Sequence, residues 1–203
     1  MRKIPELLAP AGGLESIKAA VAGGADAVYF GGKGFNARRN AVNMNEEEMG
    51  EAVRFCHENK VKVYVTLNIL IKDTEFEELI SYLNFLAGLA LDGLIVQDLG
   101  LIYLLRTYYP QIRLQTSTQG SVYGLEGVQF FEALGFDRVV LPREMALEEA
   151  AAIKKKTKTG LKLFCHGALC YAYSGQCLLS SMIGGRSGNR GLCAQPCRKK
   201  YTL

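Results

Sequence analysis

The stretch Val61-Lys62-Val63-Tyr64-Val65-Thr66-Leu67, closed by Asn68 and followed by a polar turn and a helix-period segment, decides the fold. A short run this rich in β-branched and apolar residues is what a strand buried on both faces requires. The same unit recurs outward in both directions, with runs at Ile4 to Ala9, Ala27 to Phe30, Gly93 to Val96, Ile112 to Gln115, Arg138 to Leu141 and Leu161 to Phe164. Their starts lie roughly 20 to 35 residues apart, the spacing of successive βα units in a parallel sheet. Helix punctuation agrees: Asn45 with Glu48, and Thr74 with Glu77, have capping-box spacing, and Gly23, Gly24 and Gly135 follow helical runs.

Seven βα-type runs with short connections predict an α/β fold, a TIM-like (β/α) barrel in preference to an open doubly wound sheet. A complete barrel usually needs about 250 residues, whereas this chain has 203 and no eighth run. The expectation is therefore an incomplete barrel of about seven units over residues 1–166, lacking its closing unit. From residue 167 to 203 Gly, Ser, Arg and Cys replace the alternating apolar segments. That stretch reads as a long loop after the seventh strand, on the C-terminal face where barrel enzymes carry out chemistry.

Composition narrows the function classes. With 49% hydrophobic and 22% charged residues the chain can bury a core, which excludes wholesale disorder. A net charge of +4 neither demands nor excludes a nucleic-acid partner. No window approaches the roughly 18 apolar residues of a membrane span, and residues 1–6 open no secretory signal, so a cytoplasmic protein without a membrane partner is expected. In that compartment the six cysteines read as metal ligands or reactive thiols rather than disulfide partners.

Four of them, Cys170, Cys177, Cys193 and Cys197, are separated by six, fifteen and three residues in the glycine-rich tail. Four soft thiolates on a flexible loop suit an iron–sulfur cluster or zinc, and the absence of tight Cys-x-x-Cys knuckles tilts the reading toward iron–sulfur. Protease machinery is not legible. His57-Glu58-Asn59-Lys60-Val61 lacks the second histidine of a zinc-protease helix, and Gly185-Arg186-Ser187-Gly188-Asn189 lacks the last glycine of a nucleophile elbow. Gly32-Lys33-Gly34-Phe35-Asn36-Ala37 opens no helix and reads as a loop.

Polar residues at strand ends form a set expected to converge on one mouth. His166, Glu144 and Asp98 are the candidate catalytic residues, and Glu6, Asn68, Gln97, Gln119 and Arg143 the candidate substrate-binding ones, with Arg143 suited to a carboxylate clamp. Arg38, Arg186, Arg190 and Arg198, with Arg39, Lys199 and Lys200, lie in loops after the second and seventh strands and would form a basic rim for RNA phosphates.

The segments His166-Gly167-Ala168-Leu169-Cys170, Ser174-Gly175-Gln176-Cys177-Leu178-Leu179-Ser180-Ser181, Gly184-Gly185-Arg186-Ser187-Gly188-Asn189-Arg190-Gly191 and Cys193-Ala194-Gln195-Pro196-Cys197-Arg198 resemble the signature of the collagenase-like, U-type peptidase family. Glu6 to Gly12, Ala27 to Gly31, Val96-Gln97-Asp98 and Arg143-Glu144 are similar to its barrel motifs. The resemblance implies one of two activities. One is hydroxylation of RNA with a 4Fe–4S cluster, nearest to the branch that makes 5-hydroxyuridine in tRNA, with prephenate as oxygen donor; the other is peptidase action on collagen-like chains. A third reading is a non-catalytic zinc-binding assembly module for a partner subunit, and on any reading a homologous or downstream partner subunit is expected to complete the barrel. The chain departs from the family pattern at Lys162, where a Glu is usual, and at Cys165, where an aliphatic residue is usual. The resemblance also leaves the fourth cluster ligand open between Cys197 and a residue beyond Leu203.

Overall fold

The computed structural model of the chain describes residues 4–37, 43–167, 169–174 and 176–202. Seven parallel strands alternate with helices in the order β1 (Leu8–Pro10), α1 (Leu14–Ala22), β2 (Ala27–Phe30), α2 (Glu46–Glu58), β3 (Lys62–Leu67), α3 (Phe76–Gly88), β4 (Gly93–Val96), α4 (Leu99–Tyr108), β5 (Leu114–Thr116), α5 (Leu125–Ala133), β6 (Arg138–Val140), α6 (Leu147–Lys154) and β7 (Gly160–Lys162), with α7 (Leu179–Gly184) in the tail. The sheet runs β1 to β7 in chain order, and among the described residues β7 and β1 do not pair. The fold is an incomplete TIM-like barrel.

One face of each helix closes the outer side of the sheet. Leu79, Leu83 and Leu86 on α3, and Met49, Ala52, Val53 and Cys56 on α2, recur at helical spacing and are almost wholly buried. They pack with Val63, Val65 and Leu67 of β3 and Leu94 and Val96 of β4 in one continuous core. Burying each of the larger side chains contributes roughly 1.5 to 3 kcal/mol. Cys56 belongs to this core, where burial pushes its thiol up to about 11, so it is a packing residue and not a reactive thiol.

The inner, concave face carries charged and polar groups beside a small apolar patch of Ala27, Tyr64 and Ile95, and contacts between strands that are not neighbours define it. Glu6, just ahead of β1, accepts from Nη1 and Nη2 of Arg138, the first residue of β6, and from Lys62 Nζ of β3 at 2.6 Å. Gly160 makes room for this network, since a Cβ there would stand 2.9 Å from Arg138 Cγ. A bond from before β1 to β6 requires the sheet to curl until its two ends face each other across a lumen.

Local expectations meet several corrections. The Asn45–Glu48 capping box is present. The Thr74–Glu77 box is not: Glu75 instead accepts from the Lys72 amide, and a short 3-10 turn at Asp73–Glu75 precedes α3. Gly24 and Gly135 are left-handed, whereas Gly23 is not. The seventh strand ends at Lys162 rather than Phe164, because Leu163 and Phe164 are exposed and leave the sheet.

Arg138 holds the Glu6 carboxyl down at about 2, from an ordinary 4.5. A depressed carboxylate contributes stability that is present above its unfolded pKa and is lost as pH falls through the folded value. Unfolding free energy should therefore fall by about 3 kcal/mol between pH 4.5 and pH 2 on account of this group. Glu6→Gln should lose a similar amount at neutral pH and show a flatter acid limb in urea titrations.

Candidate functional site

At the C-terminal ends of β3, β4 and β5 the chain turns into loops whose first residues are amides and hydroxyls. Gln97 Nε2 donates to the Asn68 carbonyl and to Gln119 Oε1, both at 3.0 Å, and Asn68 Nδ2 donates to Ser117 Oγ at 3.3 Å. The Ala37 amide donates to Asn68 Oδ1 at 2.9 Å, tying the loop after β2 to the same place. Gln97 and Ser117 are buried, and Asn68 and Gln119 partly so. This is a neutral hydrogen-bonding rim that can orient a polar ligand without charge.

The cysteine-bearing tail is fastened over that rim. Glu144 accepts from the Ser174 amide at 2.9 Å and from Ser174 Oγ at 3.1 and 3.2 Å, and Ser174 is buried. Gln176 Nε2 donates to Ser121 Oγ at 2.7 Å, and Ser121 Oγ donates to the Ser174 carbonyl at 3.4 Å. Ser121 is left-handed, with φ +52°, a backbone conformation held by these contacts. Arg190 donates to the Leu70 carbonyl and pairs with Glu75 at 2.5 Å, and Arg198 donates to the Leu169 carbonyl. Beside the rim, Arg143 stacks on Phe164 with its Cζ 3.9 Å from the ring centroid. Its Nε is buried and meets no acceptor among the described residues.

The expected site residues separate into groups. Asn68, Gln97 and Gln119 come together at the mouth. Glu6 does not: it precedes β1, so it lies on the lumen floor at the opposite end, bound to Arg138 and Lys62. Asp98 is the N-cap of α4, with Oδ1 taken by the Leu101 amide at 2.9 Å and Oδ2 by the Ile71 amide at 3.1 Å, so it is a backbone anchor rather than an acid or base. Glu144 is likewise committed to the tail. His166 is exposed and stands in the loop four residues past β7, not at a strand end. Arg186 is exposed, Arg190 is spent on Glu75, and Arg38 lies outside the described residues.

The thiols are gathered only in part. Gly188 sits between two of them: a methyl group there would be 3.7 Å from Cys193 Cβ and 3.9 Å from the Cys177 carbonyl oxygen. The Arg198 bond to Leu169 joins the segments that carry Cys197 and Cys170. Among the described residues no three potential ligands stand close enough to share a metal ion. The donor set suits a soft metal or cluster, and the loops approach pairwise.

Sequence reading missed the ring of residues inside the lumen, Tyr64, Gln115 and Lys162. The parity of β3 carries the signal, because Lys62, Tyr64, Thr66 and Asn68 alternate with the apolar Val63, Val65 and Leu67.

The profile described as Peptidase family U32 matches residues 12–203. The chain belongs to that family. It is 43% identical over 201 residues to tRNA hydroxylation protein P1 of Bacillus subtilis (strain 168), covering 99% of this chain and 48% of that protein. It is also 43% identical over 198 residues to the 23S rRNA 5-hydroxycytidine C2501 synthase of Escherichia coli (strain K12), covering 98% of this chain and 30% of that one. The chain thus spans less than half of either relative. A solved U32 peptidase structure, Mk0906, shares the fold with a TM-score of 0.65 at 19% identity, covering 80% of this chain and 70% of its own.

Two substitutions distinguish anchoring from catalysis at the mouth. Asp98→Ala should cost about 1 to 2 kcal/mol of stability, read by chemical denaturation, as a lost helix cap does. Glu144→Ala should speed amide exchange around Ser174 by about tenfold or more while α2 and α3 stay protected, read by hydrogen-exchange mass spectrometry.

Proposed function

We propose that this chain is the barrel portion of an RNA-hydroxylating enzyme, most similar in action to tRNA hydroxylation proteins that form 5-hydroxyuridine. The observation that carries the reading is the 43% identity, over nearly the whole chain including the cysteine tail, to proteins named for hydroxylation of tRNA and of rRNA. Cys170, Cys177 and Cys193 would hold a 4Fe–4S cluster, with the fourth position taken by Cys197 or by a residue outside this chain. When bound, such a cluster supplies one-electron chemistry. The rim of Asn68, Gln97 and Gln119 would orient a small carboxylated oxygen donor such as prephenate, with the Arg143 guanidinium, whose Nε lacks an acceptor among the described residues, meeting a carboxylate. The exposed Arg186, Arg198, Lys199 and Lys200 would face RNA phosphates. A further segment or partner subunit would close the lumen between β7 and β1. No helix among the described residues is long and apolar enough to cross a membrane, and tRNA modification would place the protein in the cytoplasm.

Peptide hydrolysis has less support in the geometry. The chain has two histidines. His57 is bonded to Asp92 at 3.0 Å, at the end of the barrel away from the mouth, and His166 is exposed in its loop. Ser174, the buried hydroxyl at the mouth, has its Oγ on a carboxylate with no imidazole as its base.

Protein purified without oxygen should carry about four irons and four sulfides per chain, with broad visible absorption. Cys177→Ser should lose both, and tRNA from cells carrying that variant in place of the native protein should lose 5-hydroxyuridine derivatives on nucleoside analysis. Stoichiometric zinc in place of iron would favour the assembly-module reading.

A further inference from the structure

Between the lumen floor and the mouth lies a group that the hydroxylation reading leaves unused. Lys162, the last residue of β7, turns inward: its Nζ donates to Gln115 Oε1 of β5 at 2.5 Å and stands 5.7 Å from the Tyr64 ring centroid of β3. Both partners belong to strands that β7 does not pair with, so the amine projects across the lumen. The ionisable groups that face it are Arg138 of β6, Tyr64 of β3 and Glu6 ahead of β1, with Lys62 bound to the far side of Glu6. Among the described residues the one carboxylate there is already bound to Arg138 and Lys62, so Lys162 has no counter-ion of its own. Burial first, and repulsion by Arg138 second, push the Lys162 ammonium down to about 7, with Glu6 opposing. At neutral pH a large share of the side chain is free amine whose lone pair is available, the state in which lysine acts as a nucleophile.

The second element lies just past the end of β7, where the chain has left the sheet. Phe164 follows Lys162 by two residues and carries the stacked Arg143, whose Nε has no acceptor among the described residues. An amine in the lumen and, two residues on, a guanidinium whose Nε has no acceptor among the described residues suit a molecule in which a carboxylate adjoins a ketone or aldehyde carbon. The carboxylate would sit on the fork, and the electrophilic carbon would face the amine.

We infer that Lys162 is a Schiff-base-forming residue for small 2-oxo acids, with Arg143 as the group that orients their carboxylate. The Lys162 lone pair adds to the carbonyl carbon, the C=O π bond breaks, and a carbinolamine forms. Loss of the carbonyl oxygen with the two amine hydrogens as one water leaves the C=N bond, with no oxidant or reductant required. Gln115 holds the amine toward the lumen without charging it, since a neutral amide oxygen accepts from an amine. The inference shares Arg143 with the hydroxylation reading, but its test reads adduct formation and needs neither cluster nor RNA.

The chain is incubated with pyruvate and sodium cyanoborohydride at neutral pH, and adducts are counted by intact mass and located by peptide mapping. One reduced pyruvyl group per chain, at Lys162, is expected. Lys162→Arg keeps a cation in the lumen and should lose the adduct, with its thermal midpoint measured alongside to show that the fold is retained. Arg143→Ala should slow trapping of pyruvate by roughly tenfold or more and leave trapping of propanal, which has no carboxylate, unchanged. Adducts spread over surface lysines, or undiminished in a folded Lys162→Arg chain, overturn the inference. Equal slowing of pyruvate and propanal in Arg143→Ala overturns the part assigned to Arg143.

Discussion

The carboxylate of Glu6 sets the curvature on which the rest depends. Parallel βα units do not by themselves distinguish a flat sheet from a barrel. A residue ahead of β1 that binds the first residues of β3 and β6 makes the distinction, because it can reach both only across a concave face. The arrangement is costly in isolation, since a partly buried ion pair loses hydration on both sides. Here two cations share the carboxylate, and both of its oxygens are engaged, so the desolvated charge is fully partnered. Gly160 belongs to the same device, because a side chain on β7 at that register would occupy the path of the Arg138 stem.

The lumen is graded along its axis as a result. Its floor is charged and internally paired; its middle holds Tyr64, Gln115 and Lys162; its mouth is a set of neutral amides and hydroxyls. The excess of positive charge at the floor is felt one layer up, where Arg138 disfavours a further cation at Lys162. Charge below thus sets the protonation of the amine above. The carboxylates that sequence places at the mouth, Asp98 and Glu144, have their oxygens occupied by the Leu101 and Ile71 amides and by Ser174 of the tail. Fixing the loops has taken the acidic groups that a general acid or base would need.

The pattern of the sheet was legible in the sequence, and the ends of its elements less so. Runs such as Val61 to Leu67 announce a strand buried on both faces because β-branched residues in a continuous run suit nothing else of that length. Periodicity does not say at which end of the barrel a polar residue sits, so in sequence Glu6 reads alongside Asn68 and Gln97 although it precedes its strand and they follow theirs. Asp98 carried a readable signal, an acidic residue immediately before the apolar helix Leu99–Tyr108, and the cap explains it without chemistry. The tail after β7 offered cysteine spacing and family motifs but no period, since Gly and Ser impose none, and the placement of its described residues follows from tertiary bonds such as Glu144 to Ser174 that no local rule encodes.

The arginines of that tail show why composition and role come apart. A run rich in arginine reads as a phosphate-binding rim, but two of its members are committed to holding the tail down. Arg190 spans to Leu70 and Glu75 beyond β3, and Arg198 closes on Leu169. Arg suits this work because its planar fork satisfies a carboxylate and a carbonyl together. Arg190 is then largely removed from solvent and its charge is neutralised by Glu75, so it adds little to any long-range field. The cations left to face an anionic polymer are Arg186, Lys199 and Lys200, with the exposed part of Arg198, and they flank the cysteine segments rather than the amide rim. An RNA held by them would lie across the thiols, while the rim and lumen beneath stay open to a molecule small enough to enter a barrel.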